Sequence, residues 1–215
     1  EHIDSEQLYQ RCLRKLSLKD RTIYEMRKWL KETELVEYQE VNALIDKLIQ
    51  KGYLDDEKLC MEQIQALSNS LYGPKQIISK LKQRGVKEDC ILACMEQSKL
   101  KEYEFALAYA TKVLRQSQKS SVTKTKNTIR NKLMTRGYSN NTIEKVVSEL
   151  DYSSNKENED VLLEKLVKKA MKRYERKYRG YDLKTRIYRY CLTQGFHGED
   201  ISVLMDRMEW SHDED

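Results

Sequence analysis

The chain has 215 residues, of which 39% are hydrophobic and 35% charged, and its formal net charge is +5. One proline and seven glycines leave little material for the many turns of a sheet protein. No run of about 18 apolar residues is present to span a bilayer. The opening stretch "EHIDSEQLYQRCLRKL" lacks the apolar core and small-residue cleavage pattern of a secretory signal. It also lacks an initiator Met and reads as processed or trimmed, and a cytoplasmic protein without membrane contact is expected.

In chain order, a first helix is expected over 5–16, followed by "IYEMRKWLKETELVEYQEVNALIDKL" at 23–48. "GYLDDEKLC" at 52–60 comes next, and it has the grammar of a joint. Gly52 ends a helix, and Asp55 or Asp56 caps the helix expected over 55–70. Tyr72-Gly73-Pro74 marks another start, because proline is tolerated in a first helical turn. Further long helices are expected over 99–118 and 158–178. The polar stretch "DYSSNKENED" at 151–160 has no apolar period and reads as a linker, either a hinge or an ordinary loop.

Three segments align as an internal repeat: "GPKQIISKLKQRGVKEDCILACMEQ" (73–97), "TKNTIRNKLMTRGYSNNTIEKVVSEL" (125–150) and "LKTRIYRYCLTQGFHGEDISVLMDRM" (183–208). Ile77, Ile129 and Ile187 superimpose, as do Gly85, Gly137 and Gly195. Each glycine precedes an apolar residue (Val86, Tyr138, Phe196), and a second apolar helix starts near Ile91, Ile143 and Ile201. The 23–48 segment is a degenerate copy with Glu34 in the glycine position. Glycine at these joints supplies the positive φ with which a helix stops sharply. Copies separated by about 50–58 residues suit three helices each.

The expected fold is therefore all-α: about twelve helices in tandem three-helix repeats, stacked into an elongated, curved rod. The boundaries are 1–54 for repeat 1, 55–98 for repeat 2, 99–151 for repeat 3, and 152–215 for the linker and repeat 4.

The five cysteines (Cys12, Cys60, Cys90, Cys94, Cys191) are odd in number, form no Cys-x-x-Cys pair and sit among apolar neighbours. Cys90 and Cys94 share a helix face, but His2, His197 and His212 show no spacing that completes a zinc site. Buried, reduced thiols and no metal are the expectation. No Gly-rich phosphate loop and no Ser/His/Asp pattern with supporting context occurs. The expectation is a binding protein with no catalytic residues and no cofactor.

Charge carries the functional signal. Residues 105–143 hold eight Lys/Arg and no Asp/Glu, and residues 165–189 hold eleven basic and two acidic side chains. The segregation follows the repeat. Middle helices carry Lys75, Lys80, Lys82 and Arg84; then Lys124, Lys126, Arg130, Lys132 and Arg136; then Lys184, Arg186 and Arg189. Third helices lean acidic, with Glu88, Asp89 and Glu96, then Glu144 and Glu149, then Glu199, Asp200, Asp206 and Glu209. In-register stacking would align the middle helices into one basic stripe fitted to a polyanion or an acidic protein groove. Plain solvation of exposed helix faces is the competing reading.

Middle helix, glycine turn and third helix imitate a helix-turn-helix. The helix that would enter the major groove, "TIEKVVSEL" or "DISVLMDRM", is acidic and apolar and would repel the duplex. Tyr174, Tyr178, Tyr181, Tyr188 and Tyr190 interleave with the second basic block. They suit either stacking on single-stranded bases or packing between helices.

"GYLDDEKLC", the helix start "YGPKQIISKLKQRGV" and the surrounding three-helix repeats together resemble the RecX family of bacterial recombinase regulators, over residues 8–208. The resemblance implies a crescent of tandem repeats that binds the RecA–single-stranded-DNA filament in its groove. It implies limits on filament growth, ATP hydrolysis and strand exchange, and hence roles in recombination, repair and the SOS response. The expected partners are the RecA filament and single-stranded DNA, reached directly or through RecA, with a monomer as the expected state. Two departures stand out: a fourth repeat at 158–208 where many members have three, and the missing glycine in the first copy. A nucleic-acid-binding rod acting on single strands without recombinase is the alternative, and a helical adaptor for another acidic partner is a third.

Overall fold

Apolar residues that recur every three or four positions can be buried together only if the backbone is helical. The computed structural model describes residues 5–33, 38–208 and 210, and among them it contains thirteen helices and no strand. Glu34, the residue in the first copy's glycine position, lies outside the described residues, as do His2, Glu209 and His212. Among the described residues no helix is long and apolar enough to cross a membrane.

The chain divides into two compact units, residues 1–106 with 136–139, and residues 107–135 with 140–215. The first unit holds α1 (Ser5–Leu18), α2 (Ile23–Glu32), α3 (Tyr38–Gln50), α4 (Asp56–Asn69), α5 (Pro74–Gln83) and α6 (Glu88–Ser98). The division falls inside α7 (Glu102–Gln116). The second unit holds α8 (Val122–Thr135), α9 (Asn140–Glu149), α10 (Ser153–Glu157), α11 (Glu159–Tyr174), α12 (Gly180–Thr193) and α13 (Gly198–Arg207).

Within the first unit one core gathers Leu8, Cys12, Met26, Leu30, Ile45 and Leu48 from α1, α2 and α3. A second gathers Cys60, Ile64, Ile77, Leu81, Ile91 and Cys94 from α4, α5 and α6. The second unit builds the same kind of core from Leu163, Val167, Ile187, Cys191, Ile201 and Met205 of α11, α12 and α13. The aligned isoleucines Ile77, Ile129 and Ile187 are all fully buried. Burial of such a side chain is worth about 1.5–3 kcal/mol.

The joints follow the expected grammar. Gly52, Gly85, Gly137 and Gly195 all have positive φ, between 74° and 88°. The residue after the glycine folds back onto the finished helix: Tyr53 N–H donates to Leu48 O, Val86 N–H to Leu81 O, and Phe196 N–H to Cys191 O.

Three of these turns also receive the start of another helix. The buried Thr22 hydroxyl, capping α2, donates to Arg84 O at 2.7 Å. Gly73 N–H, at the start of α5, donates to Arg136 O at 2.8 Å. The Ser121 hydroxyl, before α8, donates to Gln194 O at 3.0 Å. A Cβ on the turn glycine would collide with the arriving helix in each case: 2.3 Å from Tyr24 at Gly85, 2.4 Å from the Gln76 nitrogen at Gly137, and 2.8 Å from Ser121 Oγ at Gly195.

An acid then takes the next free backbone donor. Asp56 accepts from Ile23 N–H at 2.9 Å, and Glu159 accepts from Val122 N–H at 3.2 Å. At α5 the equivalent residue is Pro74, which has no N–H. There Glu102 accepts from Ser139 N–H instead, at 2.7 Å.

The expected linker at 151–160 is different in the structure. It contains α10, its Tyr152 and Asn155 are buried, and the Asn155 amide donates to Ser117 O, Ser120 O and Thr125 Oγ1. A polar side chain that satisfies itself internally looks like a loop residue in sequence, so the segment reads there as a linker and α10 goes uncounted.

Candidate polyanion-binding surface

Twelve basic side chains on the three middle helices were singled out from sequence, and the structure sorts them by what they touch. Three are committed to carboxylates. Arg84 grips Glu25 through Nε at 2.9 Å and Nη2 at 3.0 Å, and also donates to Asp20 O. Both side chains are largely covered, at 19% and 25% exposed. Burial alone would push the Glu25 carboxyl up. The Arg84 hydrogen bond, the Thr22 backbone N–H and attraction to Arg84 and Arg21 outweigh it and hold the carboxyl below its ordinary value. Arg130 makes a two-pronged pair with Glu144 at 2.9 and 3.0 Å, and that hydrogen bond holds the Glu144 carboxyl below its ordinary value. Lys82 pairs with Glu88 at 2.6 Å.

Five more lie over aromatic rings. In the first unit Lys80 and Arg136 share Tyr72, at 4.8 and 4.5 Å from the ring centre, and Arg136 also donates to Ser70 O. In the second unit Lys126 lies over Tyr152, Lys184 over Trp210 and Arg186 over Tyr178, at 5.0, 5.1 and 3.8 Å. Such contacts are worth about 0.5–2 kcal/mol and leave the cation's outer side in water. Lys124 Nζ donates to Gln194 Oε1 at 2.6 Å. Lys75, Lys132 and Arg189 are exposed and form no ion pair among the described residues.

The tyrosines of the second basic block divide. Tyr174 makes edge-on contacts with Tyr178 and Tyr190, at 6.3–6.4 Å between ring centres. These three and Tyr188 pack against the α11–α12–α13 core. Tyr181 is 83% exposed. It stands at the edge of a hollow of about 800 Å³ lined by Lys184, Tyr188, Arg189, Met205, Asp206 and Trp210, among others. Trp210 was not singled out from sequence. Its place in the hollow is fixed by its indole N–H donating to Met205 O at 2.8 Å. The only signal available in sequence was an isolated aromatic inside an acidic end segment.

Cations beside an exposed ring such as Tyr181 suit phosphates next to flat bases, and they equally suit carboxylates beside apolar side chains.

No family model matches the chain. It is 31% identical to "Regulatory protein RecX" of Lactobacillus johnsonii (strain CNCM I-12250 / La1 / NCC 533) over 194 residues, which are 88% of this chain and 70% of that protein. It is 28% identical to "Regulatory protein RecX" of Lactococcus lactis subsp. cremoris (strain SK11) over 194 residues, 88% of this chain and 72% of that one. Among solved structures, RecX from Lactobacillus salivarius superimposes with a TM-score of 0.63 at 23% identity, covering 68% of this chain and 96% of that chain.

Proposed function

The chain belongs to the RecX family of regulatory proteins, and from that membership we propose that it is a negative regulator of the RecA recombinase. It binds the RecA–single-stranded-DNA filament and limits its extension, ATP hydrolysis and strand exchange. The observation that carries this reading is the set of exposed cations on successive middle helices, Lys75, Lys132 and Arg189, that form no ion pair among the described residues. Pairing them with acidic groups of a partner breaks no ion pair among the described residues. Several weak contacts on one chain gain from effective concentration, and a filament presents a repeated partner.

The hollow beside Trp210 favours a second reading, direct contact with single-stranded DNA. Lys184 and Arg189 would meet phosphates there, while Tyr181 and Trp210 offer faces on which bases stack.

The test is ATP hydrolysis by the cognate RecA on single-stranded DNA, titrated with this protein at ratios too low to coat the DNA. DNA binding by the protein alone is measured in the same buffer. Inhibition that falls about tenfold in the K75E/K132E/R189E variant, with helical content unchanged, supports the recombinase reading. Tight DNA binding without inhibition sinks that reading and leaves the second.

A further inference from the structure

The first unit carries a cluster of thiols that a regulatory surface does not use. Cys90 and Cys94 lie one turn apart on α6 and so share a face. Helix α4 packs along α6 and brings Cys60 opposite them, so that the three sulfur atoms all lie within 4.8 Å of one another. None of the three is in a disulfide. Cys60 and Cys94 are fully buried among Ile64, Ile77, Leu81 and Ile91, and Cys90 is half-buried at the edge. Access to the sulfurs is therefore through Cys90. Asp56 and Glu57 are close enough for their carboxylates to act on the Cys90 sulfur.

Elsewhere the chain uses cysteine as plain core filling. Cys12 and Cys191 are buried singly in apolar cores. Filling a core does not require three sulfurs to converge from two helices, and that convergence distinguishes Cys60, Cys90 and Cys94 from the other two.

We propose that Cys60, Cys90 and Cys94 form a binding site for one soft, thiophilic cation, Cu⁺ or Zn²⁺, held by three thiolate sulfurs. Thiolates select these ions over magnesium or calcium. Zn–S bonds of about 2.3 Å set sulfur–sulfur separations of about 3.8 Å, so side-chain rotation of under about 1 Å closes the site. Three metal–sulfur bonds form and each thiol gives its proton to water, with no electron transferred. Each thiol must give up its proton to bind the cation, so affinity falls as pH falls. Among the described residues no fourth His, Cys, Asp or Glu atom joins the three sulfurs. Cu⁺ is then three-coordinate, or Zn²⁺ takes solvent as its fourth ligand.

The test uses the full, reduced chain titrated separately with Zn²⁺ and with Cu⁺ against a chromophoric chelator, with proton release followed in weak buffer. One equivalent of metal bound, about three protons released and slower alkylation of Cys90 are expected. C90A, altered at the half-buried edge and checked for helical content, should lose at least about 100-fold in affinity. C12A and C191A should bind as the parent does. Binding of neither ion above the level of a C60A/C90A/C94A variant, or binding untouched by C90A, overturns the proposal. No recombinase is present in this assay, so its outcome is independent of the regulatory reading.

Discussion

At the start of α2 the Thr22 hydroxyl donates to Arg84 O at 2.7 Å, and at the start of α8 the Ser121 hydroxyl donates to Gln194 O at 3.0 Å. In both places the acceptor precedes a glycine of positive φ, and an acid on a later helix takes the next backbone N–H. The side chains around this shared backbone differ. Glu25 completes a capping box with Thr22 and grips Arg84, whereas the equivalent position after Ser121 is Lys124, which reaches the neutral Gln194. At these two positions the first joint pairs opposite charges, Glu25 with Arg84, and the second sets a cation, Lys124, against a neutral amide. A joint of this kind therefore demands a hydroxyl or N–H and a bare glycine, and leaves the flanking charges to vary. Arg84 looks like a binding cation in sequence and is a structural one, while Lys124 sits at the place an acid holds in the other unit.

The shared part of the joint should be the most fragile. At Gly195 an alanine would carry its Cβ into Ser121 Oγ and within 3.0 Å of the Lys124 nitrogen, at a φ of +87°. G195A should cost about 3–4 kcal/mol, adding backbone strain to a clash that dislodges the Ser121 bond. Gly52 has φ +74° and nothing within 4 Å of the added methyl, so G52A should cost only about 1 kcal/mol. Urea unfolding of both variants measures the difference. Equal losses would mean that the glycines serve only their own turns and that the docking helix contributes nothing.

That docking explains what was legible in sequence. The glycines, the aligned isoleucines Ile77, Ile129 and Ile187, and the helix starts at Asp55 and Pro74 each follow from local rules, because helix caps and helix faces are set within a few residues. The partnership of Thr22 with Arg84, or of Asn155 with Ser117, joins residues far apart in the chain and leaves no local mark. The basic segments were visible as composition, yet which cations are committed depends on Glu25, Glu144 and Tyr72 arriving from other helices. Cys60 was equally invisible as a neighbour of Cys90 and Cys94, since α4 and α6 meet only in the folded unit.

The differing part of the joint gives the second contrast. R84A removes a largely covered, two-pronged pair and strands Glu25, and should cost about 2 kcal/mol, below the range for fully buried pairs because both partners keep some solvent. Q194A at the equivalent place removes one exposed contact to Lys124 and should cost no more than about 0.5 kcal/mol. Thermal melts of the two variants in one buffer decide it. An R84A protein as stable as the parent would return Arg84 to the set of cations available for a partner.

The smallest expected effect is confined to the first joint and is read through pH. Glu25 is held below its ordinary carboxylate value in the folded chain, so folding favours its charged form. Its contribution is fully present above the unfolded-state value and is lost as pH falls through the lower, folded-state value. E25Q should therefore be less stable than the parent at neutral pH, and the gap should narrow in that acid window, where the parent's own Glu25 becomes protonated and resembles the amide. Chemical denaturation of both proteins at a series of pH values measures the gap directly. A gap that stays constant down through that window would mean that shape at Thr22 and Arg84, and not charge, is what Glu25 supplies.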